Sequence, residues 1–349
     1  MRAMVLEQIS SLADNATPLK PCELPEPVAK EGQILIRVSA CGVCHTELDE
    51  IEGRLSPPQL PIILGHQVVG RVAAIGSHDS QGVLKRSGLQ SGDRIGVAWI
   101  NSACGRCDFC RSGLENLCPD FKATGLDAHG GYAQYLTVRA DFAYRLPAAL
   151  SDVEAAPLLC AGAIGYRSLS LTNLKDGQTL GLTGFGASAH LVLALARHCY
   201  PHSPVVVFAR SPEERVFALE LGAAWAGDTS ERSPRSCAAI IDTTPAWTPV
   251  VEALKNLDAG GRLVINAIRK EATDQRALLD LDYPDQLWHE KEIKSVANVT
   301  RRDVQAFLQL AAEIPLRPEV ECYALDEANR ALLELKRGHI RGAKVLVID

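Results

Sequence analysis

The stretch QTLGLTGFGASAHLVLALARHC, residues 178–199, decides the fold. Gln178–Thr183 reads as a strand, and Ala187–Cys199 reads as an aliphatic helix. Between them stands Gly184-Phe-Gly186-Ala-Ser-Ala189, a G-x-G-x-x-A turn. Glycines there permit a tight turn and close backbone approach, and the helix N-terminus offers unpaired N–H groups to an anion. Alone, the glycine pattern would be a plain tight turn. In strand–turn–helix context it implies a dinucleotide whose pyrophosphate lies on Gly184, Gly186, Ala187 and Ser188.

Reading outward, strands and helices alternate. Pro204–Phe208 (PVVVF) is a buried-type strand, and Pro212–Leu221 is a helix stopped by Gly222. Ala238–Ile241 is a strand, Thr248–Leu257 a helix and Arg262–Ala267 a strand. Continuous Val/Ile runs between helices indicate a parallel sheet covered on both faces, an α/β doubly wound domain. Upstream, the chain reads as short strands and turns. Gln33–Ala40 (QILIRVSA) alternates apolar and polar residues, and Val68–Ile75 and Arg94–Trp99 are further strands. Gly76–Gly92 is polar and Gly-rich, and reads as a surface loop. Asp152–Ala163 and Gly165–Leu171 read as helices. Past residue 301 come helical patterns at Arg302–Glu313 and Asp326–Arg337, and a last strand, Ala343–Ile348.

The length of 349 residues suits two domains. A formal net charge of −6 argues against a nucleic-acid partner, which calls for a basic face. The 47% hydrophobic and 22% charged composition is that of a globular protein. The N-terminus MRAMVLEQISSLADN carries no signal-peptide pattern, and no apolar run is long enough to span a bilayer. The expected location is cytoplasmic, with no membrane partner. In that reducing compartment, 11 cysteines point to metal or catalysis before disulfides.

Cys104-x2-Cys107-x2-Cys110-x7-Cys118 places four thiols within one loop. Structural zinc takes four tetrahedral ligands, often all cysteine, at about 2.3 Å. The short gaps let a turn aim successive sulfurs at one point. Four protein ligands leave no position for substrate, so this site is structural. An iron–sulfur cluster uses similar spacings, and the rest of the chain decides against it.

Further chemistry is scattered: Cys41-Gly-Val-Cys44-His45-Thr46-Glu47, Gly65-His66-Gln67, and Leu159-Cys160-Ala161-Gly162. Each alone is weak. Cys41 and Cys44 suit a redox pair, His66 a core histidine, and Cys160 a small buried hydrophobe. Together they are similar to the zinc-dependent alcohol dehydrogenase branch of the medium-chain dehydrogenase/reductase family. The motifs are CGVCHTE (41–47), LGHQVVG (64–70), GDRIGVAW (92–99), CGRCDFCRSGLENLC (104–118), GGYAQY (130–135) and PLLCAGAIGY (157–166), with the glycine turn. Their order covers essentially the whole chain.

The resemblance implies a GroES-like β-rich catalytic domain, 1–155 with 302–349, and a Rossmann domain, 156–301, with the active site in the cleft between them. It maps the catalytic zinc ligands onto Cys44, His66 and Cys160, so each chain would hold one catalytic and one structural zinc. A cysteine rather than a carboxylate as third ligand favours an alcohol or aldehyde over a polyol. Thr46 is implied to bond the substrate oxygen and start a proton relay, and His45 to lie near the cofactor pyrophosphate. Three departures stand out: Gln67 replaces the usual Glu, Glu47 the usual Asp, and Asp49 a His that often ends the relay. Asp49 or solvent is then the expected proton acceptor. The family forms dimers or tetramers, so a homo-oligomer is implied. Trp99 and Leu126 suit pocket walls and core packing equally.

An NAD site shows Asp or Glu about twenty residues after the turn. Here Ala209 stands at that place, followed by Arg210 and Ser211, with Arg215 one helical turn on. An acid would repel a 2′-phosphate, whereas Arg210 pairs with it. NADP(H) is therefore expected over NAD(H). Gly338-His339-Ile340-Arg341-Gly342-Ala343-Lys344 resembles the family's closing motif, but Ala343 replaces its Arg, leaving Arg341 or Lys344 as substitutes. The implied activity is reversible hydride transfer between NADP(H) and a primary alcohol or aldehyde. The alternatives are an aldehyde or enal reductase of the same family, and a non-catalytic NADPH-binding or redox-sensing protein on the same fold.

Overall fold

Alternation in Gln33–Ala40 carries Ile34, Ile36, Val38 and Ala40 into the interior. A computed structural model of the chain, describing residues 1–80, 82–314, 317–338 and 342–349, extends this strand to Gln33–Val43 and makes it the spine of a seven-stranded sheet. Gln67–Ile75, Tyr135–Arg139 and Ala343–Val347 all pair with it antiparallel. Arg94–Val97 and Ala143–Arg145 continue one side, and Val320–Ala324 adds a parallel strand beside Ala343–Val347. The C-terminal segment thus returns to the first strands, with Leu346 opposite Cys41. The chain forms two compact units, Met1–Cys160 with Thr300–Asp349, and Ala161–Val299.

In the second unit the Val/Ile runs build a sheet of six parallel strands among the described residues. Its spatial order is Trp225–Gly227, Val205–Phe208, Leu180–Thr183, Cys237–Asp242, Leu257–Ile265, Glu292–Ser295. In chain order this is 3-2-1-4-5-6, the doubly wound arrangement whose direction reverses between the first and fourth strands. Val205–Phe208 is buried along its whole length, as a central parallel strand must be.

Two local expectations change. Gly76–Gly92 contains a short helix, Val83–Ser87, because the Asp79 carboxylate accepts from Leu84 N at 3.0 Å and Lys85 N at 2.9 Å. That cap is hidden in a polar, glycine-rich stretch. The helix expected over Asp152–Ala163 starts on a Ser151/Glu154 capping box but runs only to Pro157. A π-turn over Leu158–Gly162 follows, and Ala163–Leu171 resumes the α-helix. Pro157 has no N–H for the ladder, and π-turns of this kind recur at functional sites. Cys160 sits in it. No helix among the described residues is long and apolar enough to cross a membrane.

Candidate active site

Cys44 precedes a short helix, His45–Ile51, and acts as its N-cap residue. His66 follows Gly65, whose φ of +97° and contacts leave no space for a side chain: a Cβ there would lie 2.4 Å from the Tyr132 ring and 2.9 Å from Cys41 Sγ. Cys160 comes from the π-turn. The candidate ligand atoms of Cys44, His66 and Cys160 all lie within 4.8 Å of one another.

Charge at this cluster is uneven. The hydrogen bond with Cys160, against the cost of burial, holds the Cys44 thiol well below its ordinary pKa, with help from His66 and the Thr46 N–H. The same contact, together with burial, pushes Cys160 well up. Burial opposes a charge on His66, but Glu47 and Cys44 outweigh it and raise its pKa. Two thiol sulfurs and an imidazole nitrogen within 4.8 Å of one another form a donor set suited to zinc, whose binding would displace their protons.

The sequence marks Glu47 only as a departure from a usual Asp, and the structure shows it as the partner of His66. It is 0% exposed, and its Oε1 lies 2.6 Å from His66 Nδ1. Its Oε2 accepts from Cys44 N at 2.7 Å, closing the helix cap. The imidazole is thereby fixed with Nε2 left for a metal, the carboxylate–histidine pairing that orients zinc ligands. Glu50, three residues on, is also fully buried, and neither of its oxygens has a hydrogen-bond partner among the described residues. Burial, then the Glu47 charge, pushes the Glu50 carboxyl well up. Its sequence signal was its i+3 spacing from Glu47 on one helix face.

The other residues singled out fall as follows. Thr46 Oγ1 lies 3.6 Å from Cys44 Sγ, and His45 is exposed at the helix start. Asp49 is buried and accepts from Arg54 Nε at 2.5 Å. Gln67 is buried opposite Gly42, where a Cβ would lie 2.3 Å from Gln67 Oε1. Trp99 stacks at a tilt on Phe121 with ring centroids 5.5 Å apart, and Leu126 is buried. Cys41 is a buried thiol beside Gly65 rather than a member of the three-residue cluster.

The second cluster gathers Cys104, Cys107, Cys110 and Cys118, again with all ligand atoms within 4.8 Å. Cys104 and Cys110 sulfurs are 3.9 Å apart. Four sulfurs each about 2.3 Å from one centre would lie about 3.8 Å apart, so this donor set fits tetrahedral zinc. The N–H groups of Arg106 and Cys107 donate to Cys104 Sγ at 3.5 and 3.3 Å and lower its pKa to about 6. Burial pushes Cys110 up to about 12.

In the second unit, Gly184 has φ +73°, and a Cβ on it would lie 2.9 Å from Thr244 Cγ2. A Cβ on Gly186 would meet nothing within 4 Å, so the space above the turn is open to a ligand. Ala187 and Ser188 form the first turn of the helix Ala187–Cys199, whose leading N–H groups have no intrahelical acceptor. Ala209 is buried at the end of its strand, and Arg210 is exposed. Ser211 caps the helix Pro212–Glu220, accepting from Glu214 N at 3.3 Å. Arg215 donates to the carbonyls of Ala209 and Arg210 at 2.8 and 3.1 Å and meets Asp228 at 3.3 Å. It therefore braces the turn that presents Arg210. Arg341 lies outside the described residues. Lys344 is buried and donates to Glu321, Glu334 and the Tyr323 hydroxyl, so its ammonium is spent inside the first unit.

A β-rich unit with two cysteine-containing clusters that could hold metal, together with a doubly wound unit that carries a glycine turn, points to an oxidoreductase of the dehydrogenase class. Residues 30–148 match the family model described as alcohol dehydrogenase GroES-like domain. A Mycobacterium tuberculosis (strain CDC 1551 / Oshkosh) protein described as "Probable alcohol dehydrogenase AdhA" is 45% identical over 327 residues, 93% of this chain and 91% of that one. An alcohol dehydrogenase of Geobacillus stearothermophilus is 32% identical over 93% of this chain and 94% of its own. Among solved structures, a cinnamyl alcohol dehydrogenase of Sorghum bicolor superposes with a TM-score of 0.80 at 25% identity, over 99% of this chain and 97% of that one. The chain belongs to the alcohol dehydrogenases of the medium-chain dehydrogenase/reductase family.

Proposed function

We propose that the protein is a zinc-dependent oxidoreductase that reversibly transfers a hydride between NADP(H) and a primary alcohol or aldehyde. The observation that carries this reading is the Cys44–His66–Cys160 cluster backed by Glu47. Three protein ligands leave a tetrahedral ion one position for substrate. Bound there, zinc supplies a Lewis acid for the substrate oxygen, and the nicotinamide cofactor supplies or takes up the reducing equivalent. The chain does the rest. Glu47 holds His66 in one orientation and one tautomer. Thr46 Oγ1, beside Cys44, takes the alcohol proton and passes it to solvent or Asp49. The Gly184–Ser188 turn takes the pyrophosphate and Arg210 the 2′-phosphate.

The test is a screen for NADPH-dependent aldehyde reduction, run on the metal-loaded protein, after chelator treatment, and after zinc is restored. Activity that ignores the chelator refutes the zinc reading, and no turnover with any carbonyl or alcohol refutes the enzyme reading. A second reading, a reductase acting mainly on unsaturated aldehydes, draws on the likeness to the cinnamyl alcohol dehydrogenase. Product analysis separates carbonyl from double-bond reduction.

A homo-oligomer is the assembly we infer. Glu292–Ser295 is an edge strand exposed at all four positions, Ile293 among them, and Tyr283 and Trp288 just before it in the chain are exposed as well. Such an edge invites pairing with a second copy. The cytoplasm suits the protein, because all 11 cysteines are free and six of them lie in the two clusters that could hold metal.

A further inference from the structure

The strands that flank the reversal point of the doubly wound sheet are tied together by a buried ion pair that the proposed reaction does not use. Asp242 ends one strand and is 0% exposed. Lys270 arrives from the segment after Leu257–Ile265, with its side chain 8% exposed. Its ammonium donates to Asp242 Oδ2, to Thr244 O at 2.8 Å and to Ala246 O at 2.9 Å. An ammonium has three N–H donors, so all are spent and none is left for a phosphate. Asp242 Oδ1 accepts from Thr183 Oγ1 at 2.6 Å, Thr244 Oγ1 at 2.8 Å and Thr244 N at 3.3 Å. Thr183 ends the other flanking strand, and its carbonyl accepts from Thr243 N and Oγ1, each at 3.0 Å.

The segment 243–246 is thereby held from below and from both ends. Glu271 N donates to Pro245 O, and Asn266 N to Asp242 O, each at 2.7 Å. That segment is also the wall of the glycine turn. A Cβ on Gly184 would lie 2.9 Å from Thr244 Cγ2 and 3.1 Å from Thr243 Oγ1. The carboxyl ends of strands at the reversal point are where doubly wound sheets bind ligands. A buried ion pair costs desolvation that an apolar side chain of similar volume would avoid. Here two of the three Lys270 N–H bonds and two of the three bonds to Asp242 Oδ1 go to one short segment, so the pair's product is the placement of that segment.

We propose that Lys270 is a positioning residue for the dinucleotide: with Asp242 it fixes segment 243–246 against the Gly184 turn, and so sets the floor on which the cofactor lies. This rests on the nicotinamide-cofactor reading above.

The test measures NADPH and NADH dissociation constants on the zinc-loaded full chain, by titration of cofactor fluorescence, alongside Tm and zinc content. Lys270→Met leaves Asp242 buried without its counter-ion, so Tm falls and cofactor binding weakens by about tenfold or more. The double variant Lys270→Met/Asp242→Asn removes the charge left without a counter-ion but still takes the ammonium from Thr244 O and Ala246 O, leaving Ala246 O only the longer bond from Thr244 Oγ1 at 3.4 Å. Its Tm returns toward wild type, while its cofactor binding stays weak. Zinc content is unchanged in both. If Lys270→Met fails to fold, the double variant carries the comparison. Wild-type affinity in the double variant reduces Lys270 to a stability element and overturns the proposal. A wild-type protein that binds neither NADPH nor NADH overturns the cofactor reading itself, and this inference with it.

Discussion

Replacing Glu47 with glutamine tests whether the carboxylate behind His66 governs the metal centre. Glu47 is a double acceptor: Oε1 faces His66 Nδ1 at 2.6 Å, and Oε2 takes Cys44 N at 2.7 Å. Glutamine has the same length but offers one acceptor and one NH2 donor. Either orientation sets donor against donor at one of the two contacts, at a side chain that is itself 0% exposed. Losing one charge-assisted hydrogen bond costs about 1.5–3 kcal/mol. Changes to such supporting partners weaken metal affinity by about 10–100-fold, which is about 1.4–2.7 kcal/mol, so the two estimates agree. The assay is competition for zinc with a chromophoric chelator. The Cys104–Cys118 cluster serves as an internal reference, since Glu47 does not touch it. The expected result is selective loss of one class of zinc, with kcat/KM falling in step. Glu47→Asp keeps the charge but is about 1.5 Å shorter, so it falls between the two. Zinc affinity within twofold of wild type in Glu47→Gln would refute the reasoning.

Arg210→Ala should raise KM for NADPH by about tenfold and leave NADH nearly unchanged, since Arg210 is the exposed cation beside buried Ala209. A wild-type preference for NADH in kcat/KM would end that reading. Cys110→Ser should release the structural ion and expose residues 104–118 to proteolysis, while the chelator-sensitive activity persists until the loop unfolds. Asp49→Asn should shift the pH–rate profile if Asp49 accepts the relayed proton, and an unchanged profile assigns that step to solvent. Partial burial works against the Glu52 carboxylate, but Lys336, Arg54 and the Leu12 N–H outweigh it and hold its pKa down at about 2. A carboxylate depressed in the folded state adds stability above its unfolded value, lost as pH falls from about 4.5 toward 2. Lys336→Met should therefore move the acid-unfolding midpoint to higher pH, measured by circular dichroism.

The doubly wound unit was legible because its signals are local. A strand, a G-x-G-x-x-A turn and a helix are contiguous in residues 178–199, and uninterrupted Val/Ile runs mark strands buried on both faces. Boundaries were less legible where a side chain from elsewhere ends an element. The helix Val83–Ser87 exists because Asp79 caps it, and the Asp152 helix is broken at Pro157 and rewound through a π-turn. Composition reports neither.

At the site, residue type and order carried the reading of Cys44, His66 and Cys160, which the fold brings within 4.8 Å of one another. What could not be read was the role of groups whose chemistry depends on a partner. Glu47 appeared only as a departure from a usual Asp, yet in the fold it meets the histidine and closes the helix cap at once. The extra methylene is absorbed because Cys44 is both the N-cap and a member of the cluster. One carboxylate then serves the backbone N–H and the imidazole together. Asp49 and Arg215 show the converse. Both carry charge suited to a relay or a phosphate, and both are drawn into contacts with neighbours, Arg54 in one case and the 209–210 carbonyls in the other. Spacing can nominate a charged side chain, but only the set of partners within hydrogen-bond reach decides whether it faces the ligand or braces the group that does. By that criterion the proposed phosphate contact falls to exposed Arg210, with Arg215 as its support. Arg215→Met should then weaken NADPH binding less than Arg210→Ala does, and the opposite ranking would exchange their roles.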